Sequence, residues 1–356
     1  MGMTFDRAAA FCRRFGLQVP ILLAPMAGAS APSLSIAVAN AGGLGSCGAL
    51  LMQPEEILAW AAEVRAHSNG AFNLNLWIPD PPPRRDAAHE ARVREFLAGW
   101  GPTVPPEAAD AKTPDFAAQC EALLMIGPPI VSSIMGLYPP TFVATLKERG
   151  MFWFATVSTV AEARAAEAAG ADVIVAQGME AGGHRGSFDA SLAERQQIGL
   201  FALLPAVVDA VNLPVVGTGG IADGRGVAAA LALGASAAQI GTGFLRCPEA
   251  KLHPAWADAL GEAAPEDTVL HRAFSGRASR SIATDYVRSA IGPDAPSPAP
   301  YPVQRALTAA MRSAALKAGD ITRMQALAGQ AASLARAEPA AERVHRIWAD
   351  AQALLA

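Results

Sequence analysis

The sequence predicts an α/β chain folded as a (β/α)8 TIM barrel, and three observations carry that expectation. Eight short apolar runs alternate with helical patterns over the first 250 residues. Alternation of this kind builds a parallel sheet with helices packed outside it. Of the 356 residues, 52% are hydrophobic and only 17% charged, which suits strands buried on both faces. Glycine turns follow the seventh and eighth runs, where such barrels hold a phosphate group. A doubly wound sheet is the alternative, but it requires a glycine fingerprint after the first strand and none stands there.

The first run, 21–26 (ILLAPM), ends in Ala27 and Gly28, and a helix over 33–40 closes at Gly42 and Gly43. The second run is 45–49. Pro54, Glu55 and Glu56 then open a helix to about 66, because proline and acids in a first turn complement the helix dipole. Run three, 71–78 (AFNLNLWI), leads into a looser stretch over 79–114 that contains Pro81, Pro82 and Pro83. It reads as a partly helical insertion, a candidate lid over the barrel top. Helices at 115–125, 140–149 and 159–169 precede run four (129–135), run five (152–157) and run six (173–176). A helix at 199–211 leads to run seven, 213–216, and one at 224–233 leads to run eight, 237–240.

Beyond Pro248 the pattern turns irregular. A return excursion at 275–288 and a proline-rich crossing at 293–302 precede helices at 303–318, 320–337 and 341–355. The expected division is a barrel over 1–250 and a mainly helical subdomain over 251–356 at the barrel mouth, its last helix free to return to the barrel.

A net charge of −4 without a basic cluster argues against nucleic-acid and anionic-membrane partners. No apolar run approaches the roughly 20 residues of a membrane helix, and residues 1–16 carry no apolar signal core. Cys12, Cys47, Cys120 and Cys247 stand apart without metal-ligand spacing. No metal is expected, a reducing cytoplasm is the expected compartment, and monomer and homodimer are both open.

The chemistry concentrates in 171–186, ADVIVAQGMEAGGHRG. A buried strand breaks into a loop with Gln177, Glu180, Gly182, Gly183, His184 and Arg185, and His184 alone among these side chains has an ordinary pKa near neutrality. Polar groups at the carboxyl end of a parallel strand are how a barrel builds an active site. Gly217-Thr218-Gly219-Gly220 and Gly241-Thr242-Gly243 offer backbone N–H groups to a phosphate, and a phosphorylated cofactor fits them better than a phosphorylated substrate. Asn75 and Gln177 suit the edge of a planar heterocycle such as an isoalloxazine. The small residues of APMAG, 24–28, suit one of its faces. Glu180 either orients His184 or faces solvent.

Taken together, the chain resembles the nitronate monooxygenase family, formerly called 2-nitropropane dioxygenases. The resemblance rests on APMAG (24–28), NAGGLGS (40–46), FNLNLW (72–77), AQGMEAGGHRG (176–186), VVGTGGIADGRGVAAALALGA (215–235) and QIGTGFLRCPEA (239–250). It continues through FSGR (274–277), YPVQ (301–304) and AGQ (328–330). The resemblance implies a TIM barrel with FMN, which oxidises alkyl nitronates or nitroalkanes with O2 to a carbonyl compound and nitrite by way of the flavin semiquinone. It places the cofactor against Ala24, Pro25, Met26, Asn75, Gln177, Gly182, Gly183, Gly219, Gly220, Gln239, Ile240, Gly241 and Thr242. It makes His184 the catalytic base or the group that orients the substrate anion, with Tyr301 at the substrate side.

The sequence departs from the family pattern there. Val131-Ser132-Ser133-Ile134-Met135-Gly136 puts Ile134 where a histidine is common, Arg305 follows YPVQ in place of a lysine, and Leu327 precedes AGQ in place of an aromatic residue. The flavin half reads as intact and the substrate half as altered. Two alternatives stay open: an FMN-dependent NAD(P)H:quinone or enoyl-thioester reductase, and a non-redox phosphate-binding barrel.

Overall fold

The structure, a computed structural model, describes residues 2–29 and 31–356. In chain order the barrel strands are β1 (Ile21–Leu23), β2 (Gly45–Gly48), β3 (Phe72–Trp77), β4 (Ile130–Ile134), β5 (Phe152–Val157) and β6 (Val173–Gln177). A two-residue strand, β7 (Gly183–His184), intervenes before β8 (Val215–Thr218) and β9 (Ala237–Ile240). All seven barrel pairings that the ladders show are parallel, in the order β1–β9–β8–β6–β5–β4–β3–β2. A parallel bridge from Leu22 to Leu44 closes β1 onto β2. This is the expected TIM barrel, and not a doubly wound sheet.

The strand β1 is shorter than its apolar run because Pro25 has no N–H for the ladder. Ala24 N–H still reaches the Ile240 carbonyl at 2.9 Å, after which the chain turns over the end of β2. Gly48 permits the turn, since a Cβ there would stand 2.5 Å from Ala27 N.

The helix Gly2–Phe15 plugs the amino end of the barrel. Phe11 and Phe15 pack on Phe154, Leu22, Leu44, Val173 and Val216, with the rings of Phe15 and Phe154 5.0 Å apart. That closure leaves the opposite, carboxyl end as the open one.

Two further strands, β10 (Thr268–His271) and β11 (Ser279–Ile282), pair antiparallel, and β11 pairs in turn with β7. The region read as a return excursion is thus a hairpin that grips the loop after β6, followed by the helix Asp285–Ala290. The insertion holds the helix Ala87–Ala98, whose Val93 and Leu97 pack against Phe274, Tyr286, Leu307 and Met311. The last helix, Ala340–Leu355, lies on the helix Gly224–Ala232, so close that a Cβ on Gly224 would stand 2.8 Å from Ala351 N.

Residues 320–337 do not form the helix expected of their alanine content. Leu327 bridges to Ser281, and only Ala332–Leu334 makes a 3-10 turn. Tertiary contact overrides propensity here: Gly329 lies against the loop after β6, where a Cβ would meet the Glu180 carbonyl at 2.8 Å. Among the described residues, no helix is long and apolar enough to cross a membrane.

Candidate active site

The carboxyl ends of the strands surround a cavity of about 1310 Å³, counted out to its open mouth. Ala24, Pro25 and Met26 enter from the turn after β1, Asn75 from β3, Ile134 from β4 and Gln177 from β6. Gly182, Gly183 and His184 line it from the next loop and β7, and Gly219, Gly220, Gln239, Gly241 and Thr242 line it from the ends of β8 and β9. Arg305 reaches it from the C-terminal region. Two residues expected at the site stand elsewhere. Alternation along β9 turns Gln239 inward and Ile240 into the helix-facing core, and the Ile240 carbonyl accepts Ala24 N–H. Tyr301 lines a neighbouring cavity, with Trp77 between it and His184.

The glycines make the walls. Gly182 lies where a Cβ would stand 2.9 Å from Thr242 Oγ1, and Gly329 N–H donates to that same oxygen at 3.0 Å. The AGQ segment therefore packs on the loop after β6 backbone to backbone. Gly219 and Gly220 hold φ of +109° and +70°, which only glycine adopts freely. Among the described residues nothing accepts the backbone N–H groups of Gly219, Gly220, Gly241 and Thr242. Such a row of donors suits a phosphate. The helix Gly224–Ala232 does not add its own terminus, because Asp223 already caps it through Arg225 N–H and Gly226 N–H.

The carboxamides are partly committed. Gln177 Oε1 accepts Gly186 N–H at 2.8 Å and its amide donates to the His184 carbonyl at 3.2 Å, so Gln177 holds the turn that carries His184. Asn75 Nδ2 donates to Ser132 Oγ at 2.9 Å, and its carbonyl is left for a ligand. The Trp256 indole N–H, also at the cavity wall, is buried without a partner.

Glu180 does not orient His184. Its carboxylate accepts Leu200 N–H at 2.9 and 3.0 Å and caps the helix Leu200–Val208. Two buried arginines fix the strand end instead: Arg185 donates to the Gly178 carbonyl at 2.6 Å, and Arg280 to the Met179 carbonyl at 3.0 Å.

His184 is half-buried, with its ring edge-on to Trp77 at 4.6 Å. Its Nε2 stands 2.8 Å from Ser275 Oγ, a partner that reading the sequence did not find. Ser275 Oγ donates to the Arg277 carbonyl at 3.1 Å and accepts Arg277 N–H at 3.3 Å. It is then left to accept from the imidazole, which assigns the ring proton to Nε2 and the lone pair to Nδ1. Burial first, and then the charges of Arg305 and Arg277, push the His184 pKa down to about 3, so the ring is neutral at neutral pH.

Charge in the cavity is one-sided. Among the described residues no aspartate or glutamate lines it, and Arg305 forms no ion pair. Behind Arg305, Arg312 is also without a carboxylate and donates to Thr308 Oγ1 and the Arg305 carbonyl. Arg277, by contrast, is paired with Asp80 of the insertion at 2.5 and 2.6 Å.

The family model described as nitronate monooxygenase matches residues 11–350. The chain belongs to that family. It is 41% identical over 338 residues to the nitronate monooxygenase of Paraburkholderia phytofirmans, covering 93% of this chain and 92% of that one. A nitroalkane oxidase from Streptomyces ansochromogenes shares the fold with a TM-score of 0.87 at 37% identity, covering 98% of this chain and 100% of that one. FabK from Thermotoga maritima is similar at a TM-score of 0.76 and 28% identity, covering 97% and 96%. The chain is therefore an enzyme of an oxidoreductase family whose members typically bind a flavin.

Proposed function

We propose that the enzyme binds FMN in this cavity and oxidises nitronate anions with O2 to a carbonyl compound and nitrite. The residues present fit the cofactor. The glycine walls admit a flat ring, the free backbone donors of Gly219, Gly220, Gly241 and Thr242 suit its phosphate, and Asn75 and the Trp256 indole N–H have hydrogen-bonding capacity to spare. When bound, FMN supplies the electron acceptor for the substrate and passes the electrons on to O2.

The observation that carries the choice of substrate is Arg305, a guanidinium that forms no ion pair among the described residues, beside a neutral imidazole in a cavity that none of their carboxylates lines. A half-buried cation without a partner retains part of the cost of leaving water, and an anionic ligand relieves it. A nitronate is such an anion. A neutral nitroalkane first requires a base, and an imidazole held near pKa 3 is poorly matched to abstracting a carbon-bound proton at neutral pH. With its one proton held by Ser275, His184 shapes the wall beside the reacting carbon and leaves the binding of the anion's charge to Arg305. Ile134 lines the same cavity and keeps that side apolar.

Oxygen consumption by the FMN-loaded enzyme on ethyl nitronate and on nitroethane tests this. The expected result is kcat/KM at least tenfold higher for the nitronate, and equal values would remove the argument from Arg305 and His184.

A further inference from the structure

The interior of a (β/α)8 barrel is ordinarily filled by branched apolar side chains. Here the layer between the phenylalanine plug at the amino end and the floor of the cavity holds Ser46, Asn73 and Ser132, each 3% exposed or less. Polar groups this deep are costly unless they are bonded, and their bonds run as a chain toward the cavity. Asn73 Nδ2 donates to Ser46 Oγ at 3.3 Å and to Ser132 Oγ at 2.9 Å. Ser132 stands opposite Asn75 in the β3–β4 ladder, and its Oγ also accepts Asn75 Nδ2 at 2.9 Å. A hydroxyl oxygen has two lone pairs, so Asn73 and Asn75 fill both. Tyr138 Oη donates to the Ser132 carbonyl at 2.9 Å, which fixes the strand at that residue. The Asn73 carbonyl is buried without a partner. Asn75 lines the cavity, and among the described residues its carbonyl has no partner either.

We infer that Ser132 is a positioning residue for the cofactor: it holds the amino side of the Asn75 carboxamide and so turns the carbonyl alone toward the ring of FMN. The inference rests on the reading that FMN occupies the cavity. Oxidised isoalloxazine carries a single ring N–H, at N3, while N1, N5 and the two carbonyls only accept. A carbonyl presented by Asn75 therefore suits N3–H, and a carboxamide turned the other way would suit a ring carbonyl instead. The two ends of a carboxamide are nearly equal in shape, so packing does not choose between them. Ser132 makes the choice, because both its lone pairs accept N–H groups. It lies outside the cavity wall and acts only through Asn75.

The test is NMR of the protein loaded with FMN carrying 15N at N3, run beside fluorescence of the FMN released when the loaded protein is diluted. Neither reads turnover. In the wild type the N3 proton should be protected from exchange with water. Ser132→Ala, which frees the carboxamide to turn, should lower that protection and the FMN affinity about tenfold each, the worth of one buried hydrogen bond. Ser132→Thr keeps the hydroxyl and should restore both. Asn75→Leu should lose protection to the same extent, and adding Ser132→Ala to it should cost nothing more, as expected of two residues that act as a unit. Bound FMN whose N3 proton exchanges as fast as in free FMN overturns the inference and leaves the cofactor reading standing. An N3 proton as protected in Ser132→Ala as in the wild type does the same, whatever the affinity. Failure of the wild type to hold FMN overturns both. Should Ser132→Ala not fold, Ser132→Cys offers a weaker acceptor and carries the same expectations in smaller degree.

Discussion

His184 Nε2 and Ser275 Oγ lie 2.8 Å apart although 91 residues separate them in the chain. The contact is made by the hairpin of β10 and β11, which pairs β11 with β7 and delivers the FSGR segment to the loop after β6. Ser275 is 1% exposed and already holds both backbone groups of Arg277, so its oxygen is fixed before the imidazole meets it. Ser275→Ala is expected to lower kcat/KM for a nitronate about tenfold, the worth of one buried hydrogen bond. FMN affinity should be unchanged, since Ser275 does not line the cavity. Parallel measurement of turnover and of flavin binding separates this positioning role from a loss of structure.

In the proposed function Arg305 would hold the substrate anion, and its charge also bears on His184. Removal of its charge by Arg305→Met should raise KM for ethyl nitronate at least tenfold, as expected for a charge-assisted contact. It should also raise the His184 pKa, because the guanidinium is one cause of its depression. Arg305→Lys should restore much of the KM but not the fork geometry. Steady-state kinetics and an NMR titration of the imidazole report the two effects separately.

The neutral histidines carry a pH dependence of stability. His184 and His271 are held neutral in the fold, pushed down to about 3 and about 4 chiefly by burial, while their ordinary value is 6.5. As pH falls below 6.5 the unfolded chain takes up protons that the folded chain refuses, so stability is lost from pH 6.5 downward through 5. The slope approaches about 1.4 kcal/mol per pH unit for each histidine in that window. Urea midpoints measured from pH 7 to 5 should fall accordingly. His271→Gln should flatten the slope, as His271 bonds Ser281 and lies outside the cavity.

The insertion is tied down by one buried ion pair. The Arg277 side chain is 2% exposed and its guanidinium meets Asp80 and the Ser187 carbonyl. Asp80→Ala leaves that charge buried without its partner and should cost about 3 kcal/mol in denaturant unfolding. The accompanying loss of order should show as faster proteolysis of residues 79–86 ahead of the helix Ala87–Ala98.

Much of the barrel was legible because it depends on local pattern. Short β-branched runs, glycine stops and helix-opening prolines recur along the chain with the period of the fold. Inward residues such as Asn75 and Gln177 were legible as polar exceptions in apolar strands. Alternation within β9 turns Ile240 away from the site and Gln239 into it. What was not legible depends on distant pairing. Ser275 has no local mark of its role, β7 is too short to show a period, and Trp77 reads as core until Tyr301 stands behind it. The stretch 320–337 is rich in alanine and reads as helix, yet Gly329 must touch Glu180 and Gly182, which a helix does not allow.

The most direct test of the central claim is anaerobic mixing of the FMN-loaded enzyme with ethyl nitronate, followed at the flavin absorbance, with NADH and NADPH mixed separately. The account predicts rapid loss of oxidised-flavin absorbance with the nitronate, restored on admitting O2, and no comparable change with either nicotinamide. Bleaching by NADH or NADPH without response to the nitronate would contradict it and assign the cavity to a reductase.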